Sequence, residues 1–156
     1  MLVHHSHTLK HSYKKAPNFN DINNLVISIL DKEYRTISEL AIESVVNISK
    51  YLELEIEFSL SSVEYRHNKG LAKGERLIDI CKNENASDYI NALGGQELYK
   101  KEDFRQQNIQ LNFLKSNYIE YKQFKNEFVP WLSIIDVMMF NTKEEVKDML
   151  NDYSLI

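Results

Sequence analysis

The stretch DYINALGGQELYKKEDFRQQNIQLNF, residues 88–113, sets the fold class. Asp88 to Ala92 reads as a short strand, which Gly94 and Gly95 break. Gln96 to Gln107 has the composition of a helix. Ile109, Leu111 and Phe113 then alternate with Gln110 and Asn112, the period of two expected of a strand with one buried face. Strand, helix and strand in this order predict a right-handed crossover and parallel pairing.

Upstream, Leu77, Ile78 and Cys81 predict a helix from Glu75 that fades near Asn85. Residues 61–74 are polar, contain Gly70 and Gly74, and read as a loop long enough to suggest a functional role. Before them, Leu54, Ile56, Phe58 and Leu60 alternate with Glu55, Glu57 and Ser59, which predicts a further half-buried strand. Phe19, Ile22, Val26, Ile29 and Leu30 recur at helical spacing over 18–34, with Asn18 or Asn20 as cap. Ile37, Leu40, Ala41, Val45, Ile48 and Leu52 form a second stripe, with Ser38 as its cap. The short connection predicts an antiparallel helical hairpin. Downstream, 118–128 has no clean period, Pro130 marks a boundary, 132–140 reads as helix, and Thr142 caps a last helix. The expected fold is α/β: a small parallel sheet of three strands with flanking helices, preceded by a helical hairpin. Residues 1–17 read as a poorly ordered leader and 18–156 as a single domain.

Composition narrows the function classes. The 156 residues carry a net charge of −4 and show no basic stripe, which argues against nucleic acid as a partner. Charged residues make up 27% and hydrophobic residues 43%, the profile of a globular chain. The apolar run near Val137–Phe140 is far shorter than a membrane span and Asp136 interrupts its surroundings, so no membrane insertion is expected. The start lacks a signal-peptide core. The lone Cys81 cannot form an internal disulfide, and the chain is expected to be cytoplasmic.

In a parallel sheet, ligands gather outside the carboxyl ends of the strands. Those ends are expected at 61–74, 91–95 and 115–118. In the first, Lys73, Gly74 and Arg76 stand at a helix start, where free N–H groups and nearby cations suit a phosphate; the spacing is not that of a P-loop. In the second, Asn91, Gly94, Gly95 and Gln96 combine close backbone approach with neutral hydrogen-bonding groups suited to sugar hydroxyls. The plain alternatives are a solvated helix start and a tight turn. His67 is a candidate general base in the loop, and Asp136 is a carboxylate set in apolar surroundings. His4, His5, His7 and His11 cluster in the leader but lack acidic or thiol partners, so no metal is expected. Cys81 reads as core, and no cofactor is expected.

Several strings together carry a family resemblance: YKKAPNF at 13–19, GERLIDICK at 74–82, DYINALGGQELYKKEDF at 88–104, IQLNFLK at 109–115, EYKQF at 120–124, FVPWLSIIDVMMFN at 128–141 and NDYSLI at 151–156. In these the chain resembles the WbqC-like protein family. The matching motif positions are Gly94, Gly95, Gln96, Tyr99, Ser133, Asp136 and Asn141. The resemblance implies bacterial surface-polysaccharide (O-antigen) biosynthesis, and acyl or aminoacyl transfer to a nucleotide-linked sugar. That adds Tyr99 to the substrate-binding candidates and a sugar nucleotide to the expected partners. The family's amino-terminal motif, of the form QPxYxPYxGY, has no counterpart here, so the chain is expected to be the carboxyl-terminal part of a larger domain. The alternative function is a non-catalytic module or inactive fragment, associating with itself or with an enzyme of the same pathway.

Overall fold

The computed structural model describes residues 2–125 and 127–156, and the side chains of 1–6 fall outside that description. The helices are α1 (Leu2–Tyr13), α2 (Phe19–Leu30), α3 (Ile37–Tyr51), α4 (Ser61–Glu64), α5 (Lys73–Asn83), α6 (Lys101–Arg105), α7 (Ile134–Phe140) and α8 (Lys143–Leu150). The strands are β1 (Asp88–Ala92), β2 (Gln110–Ser116) and β3 (Tyr153–Leu155). The chain divides into two compact units, Met1–Glu57 with Tyr118–Asn151, and Phe58–Asn117 with Asp152–Ile156.

The first unit is helical. Ala16, Ile22, Val26, Leu52, Met138, Met139 and Val146 form its buried core, and Leu9 and Tyr13 of α1 pack against it. Residues 1–17, expected as a leader, therefore carry a helix. α2 and α3 form the expected hairpin in sequence order. The cap of α3 is Thr36 rather than Ser38: its hydroxyl accepts from Glu39 N at 3.2 Å. Asn18 does not cap α2 with its side chain. It donates instead to Met138 O at 3.0 Å and Asn141 O at 2.7 Å, tying the start of α2 to the end of α7. Thr142 and Glu145 exchange bonds in a capping box, as expected at the start of α8.

The second unit is a three-stranded sheet ordered β1-β2-β3, covered on one face by helices. β1 and β2 pair in parallel, with Asp88 opposite Gln110 and Ala92 opposite Leu114. β2 and β3 pair antiparallel, so the sheet is mixed rather than wholly parallel. β3 is three exposed residues with no pattern to announce it, and its place is settled by pairing with β2. Leu111 and Phe113 point from β2 into a core with Cys81, Phe104 and Ile109. The Tyr89 ring stacks on Phe104 at 5.6 Å. Burial pushes the Cys81 thiol up, in keeping with a core residue.

The expected strand over 54–60 does not form. The segment is straight but pairs with nothing, because no described strand lies in register beside it. Consequently 61–74 does not succeed a strand end. It is not wholly irregular either: α4 and a 3-10 turn, Arg66–Asn68, fold it. The expected helix over 96–107 divides into a 3-10 turn, Leu93–Glu97, and the short α6.

One local device launches three extended segments from helix ends. Glu53, Asn85 and Asn108 all take positive φ, near 55°, 53° and 59°. After each, the next N–H bonds back five residues: Leu54 to Ser49, Ala86 to Cys81, Ile109 to Phe104. Such left-handed caps satisfy the orphan carbonyls of a helix end and turn the chain outward.

Candidate functional site

The expected binding residues of the second unit, Arg76 excepted, lie at the start of α5 and along the Asn91–Tyr99 turn. Lys73 and Gly74 open α5, whose cap residue Ala72 offers no side-chain acceptor. Glu75 instead reaches back to Ala72 N at 3.3 Å. A Cβ on Gly74 would meet the Tyr99 ring at 4.0 Å, so the helix start lies against Tyr99. Asn91 lies near the end of β1 and its amide sits over Gly95; a Cβ there would stand 3.0 Å from the amide group, so any larger residue would push the Asn91 side chain back by a few tenths of an ångström. The Asn91 amide also donates to Tyr89 Oη at 3.3 Å. Gly94 and Gln96 sit in the exposed turn beside it, and a Cβ on Gly94 would meet nothing. Helix start, glycine turn and Tyr99 therefore share the carboxyl end of β1, where a parallel pair leaves room for a ligand.

Arg76 and His67 belong to a neighbouring clamp. Arg76 donates from Nε to Asn68 Oδ1 at 3.0 Å and from Nη2 to Ser61 O at 3.2 Å. Asn68, fully buried, donates to Asp79 Oδ2 at 2.7 Å. His67 Nε2 lies 3.0 Å from the same oxygen. These bonds, led by Asn68, hold the Asp79 carboxyl below its usual range. The guanidinium is committed to folding 61–72 onto α5, and the exposed His67 ring is oriented by a carboxylate.

Asp136 lies in the other unit. It is buried on α7, and its Oδ1 accepts from Tyr121 Oη at 2.6 Å and Gln123 Nε2 at 2.9 Å. Gln123 is itself held by Val129, accepting from its N at 2.9 Å and donating to its O at 3.1 Å. Burial, with hydrogen bonding to Asp136, pushes the Tyr13 hydroxyl up to about 12 and raises Tyr121 further. Tyr13, Gln123, Glu127, Phe124 and Phe140 join Asp136 around a cavity of about 210 Å3. That is smaller than the usual drug-sized site of about 300–1,000 Å3, and fits one small polar group. A carboxylate fixed by neutral donors can orient an amine or hydroxyl for deprotonation.

Tyr13, Gln123 and Glu127 were not candidates in the sequence. Their signal is that Tyr13, Tyr121 and Gln123 lie within the family strings; the contact joins segments about a hundred residues apart. A larger cavity, of about 620 Å3, lies in the second unit at the amino ends of β1 and β2, where Ser87, Asp88, Lys101, Arg105, Gln110 and Asn112 line it. This is the end opposite to the one the sheet rule favours. His7 and His11 are exposed on α1, and the side chains of His4 and His5 lie outside the described residues. Among the described residues no helix is long and apolar enough to cross a membrane.

The fold and its polar clusters define a mixed α/β protein with a three-stranded sheet and flanking helices. The chain belongs to the WbqC-like protein family, whose model matches residues 2–148. No curated protein and no solved structure matches it.

Proposed function

We propose that this protein acts in bacterial surface-polysaccharide (O-antigen) biosynthesis, binding a nucleotide-linked sugar for acyl or aminoacyl transfer. The observation that supports this best is the meeting of the α5 start, the Asn91–Gln96 turn and Tyr99 at the carboxyl end of β1. Lys73 and the free N–H groups of α5 suit the diphosphate, and Asn91, Gln96 and Tyr99 suit the sugar. Asp136, braced by Tyr121 and Gln123, is the proposed base for the acceptor amine or hydroxyl. His67, oriented by Asp79, is the other candidate base. The test is thermal unfolding with UDP- and dTDP-sugars. A ligand that binds the native state raises the melting temperature, and Lys73→Ala together with Tyr99→Ala should abolish the rise. No rise with any sugar nucleotide would sink the proposal.

A second reading, a partner-binding module, rests on a different observation. Trp131 is 72% exposed, takes a strained φ of 60°, and meets Tyr118, itself 58% exposed, edge to face. Exposed Trp and Tyr are typical anchors of protein interfaces. Size-exclusion chromatography that returns only monomer, with no co-purifying enzyme, would count against it.

A further inference from the structure

We infer that the cavity beside Asp136 binds a primary ammonium group. This rests on the reading of Asp136 as the group that meets the acceptor, and narrows that acceptor to an amine carried as its cation. Every residue lining the cavity belongs to the helical unit. Its charge is one-sided. Asp136, 4% exposed, and Glu127, at the surface, give it two carboxylates, and none of the described lining residues is Lys, Arg or His. Among the described residues neither carboxylate is held in an ion pair. The donors on Asp136 Oδ1, Tyr121 Oη and Gln123 Nε2, are neutral, and so is the Tyr13 hydroxyl that also bonds to this carboxylate. These three satisfy lone pairs but bring no charge, and a carboxylate has about four acceptor sites. A buried charge without a counter-charge is costly, so the cavity favours a cation over a neutral guest.

The rest of the lining says which cation. Phe124 meets Phe140 at 4.8 Å with the ring planes 85° apart, and Tyr13 meets Phe140 at 6.2 Å and 61°. Rings set at such angles wall the cavity from different directions. Aromatic rings attract organic cations through their faces. A hard metal ion instead needs six or more oxygen ligands. Among the described residues no three His, Cys, Asp or Glu side chains group as metal ligands. A primary ammonium brings charge and three N–H donors to Asp136 and Glu127 together. An alcohol brings one donor and no charge, and a quaternary ammonium brings charge and no donor. The volume of about 210 Å3 suits the amino end of a larger molecule rather than the whole of one.

The test is NMR on the full chain, following the Gln123 side-chain amide as ethylammonium chloride is added. The signal should move and saturate. Ethanol, close in shape but uncharged, and potassium chloride should each bind about tenfold more weakly or worse, and tetramethylammonium should also bind more weakly. Asp136→Asn should weaken ethylammonium binding about tenfold or more. Glu127→Gln, at the surface and safe for folding, should weaken it about twofold to fivefold, as for a screened charge. No saturable shift with ethylammonium, equal binding of ethanol, potassium or tetramethylammonium, or unchanged affinity in either variant would each overturn the inference. The sugar-nucleotide melts read the second unit, so the two proposals fail separately. Saturable ethylammonium binding with no sugar-nucleotide shift supports this site and sinks the proposed transfer. A sugar-nucleotide shift with no ethylammonium binding overturns this site alone.

Discussion

The caps at Glu53, Asn85 and Asn108 share one left-handed geometry, yet they lead into unlike segments. After Asn85 and Asn108 the chain enters β1 and β2, which pair over five positions. After Glu53 it enters 54–60, which pairs with nothing described. By pattern alone 54–60 is the better strand, with four apolar residues in strict alternation, whereas DYINA has a less regular inventory. The difference separates two things that sequence reading runs together. Caps and alternation are local and set a strand's conformation. Pairing is non-local and depends on which neighbour the fold supplies.

The largest expected effect tests that distinction directly. Leu111→Ala, in the buried core beneath β2, should destabilise the second unit by about 2–5 kcal/mol, while Ile56→Ala should stay within about 0.5 kcal/mol. Urea unfolding of both variants measures the contrast. A loss at Ile56 comparable with that at Leu111 would make 54–60 a packed strand and break the comparison.

Next in size is a segment with neither pattern nor pairing. Tyr118 to Phe128 has no period, yet Tyr121 and Gln123 are fixed by Asp136. Tyr121→Phe removes one donor from a buried carboxylate and should cost about 1–3 kcal/mol, readable in the same unfolding assay. An unchanged midpoint would mean that the network does not order this stretch.

The caps come third. Asn85→Ala and Asn108→Ala should each lose about 1 kcal/mol, because alanine is disfavoured where asparagine tolerates a left-handed backbone. Glu53 already bears that penalty, so Glu53→Ala should lose only its exposed ion pairs with Lys143 and Lys147, a smaller loss than at either asparagine. Thermal melts would compare the three. A larger loss at Glu53 than at either asparagine would mean that the first cap is not equivalent to the others.

The last test is in pH. The folded-state pKa of Tyr13 is raised, so its contribution to stability is complete below pH 10 and is lost as pH climbs toward about 12. Wild type should weaken across that window, and Tyr13→Phe should flatten the decline. An equally steep fall in the variant would assign it to other tyrosines, Tyr121 first.

Much of this was legible in the sequence. The parallel β1–β2 pair, the α2–α3 hairpin and the Thr142 cap all arise from short-range period and capping residues. β3 was not legible, since three exposed residues carry no period and acquire strand geometry only from Leu114 to Ser116 opposite them. For the candidate site, the residues of the Asn91–Tyr99 turn were visible because they adjoin one another in the chain. The Asp136 cluster was not: Tyr13, Tyr121 and Gln123 are ordinary residues until α1 and α7 share a core. Arg76 illustrates a third kind of failure. Its charge is visible, but nothing in the sequence tells that Asn68 and Ser61 occupy its guanidinium.

The Asn18 side chain bears on how the chain assembles. Its amide bonds reach Met138 and Asn141, 120 and 123 residues away, and between them lie all the helices and the two parallel strands of the second unit. On a growing chain, α2 and α3 emerge long before α7 exists, and they must wait with an apolar stripe uncovered. Closing a flexible loop of that length carries an entropy penalty that rises with the logarithm of its length. If β1 and β2 pair first, the intervening chain is shortened from a coil to a folded insert, and the helical unit closes over a much smaller effective loop. The inserted unit then serves as a folding aid to the one whose sequence flanks it, and a variant that delays β1–β2 pairing should slow the burial of Ile22 as well.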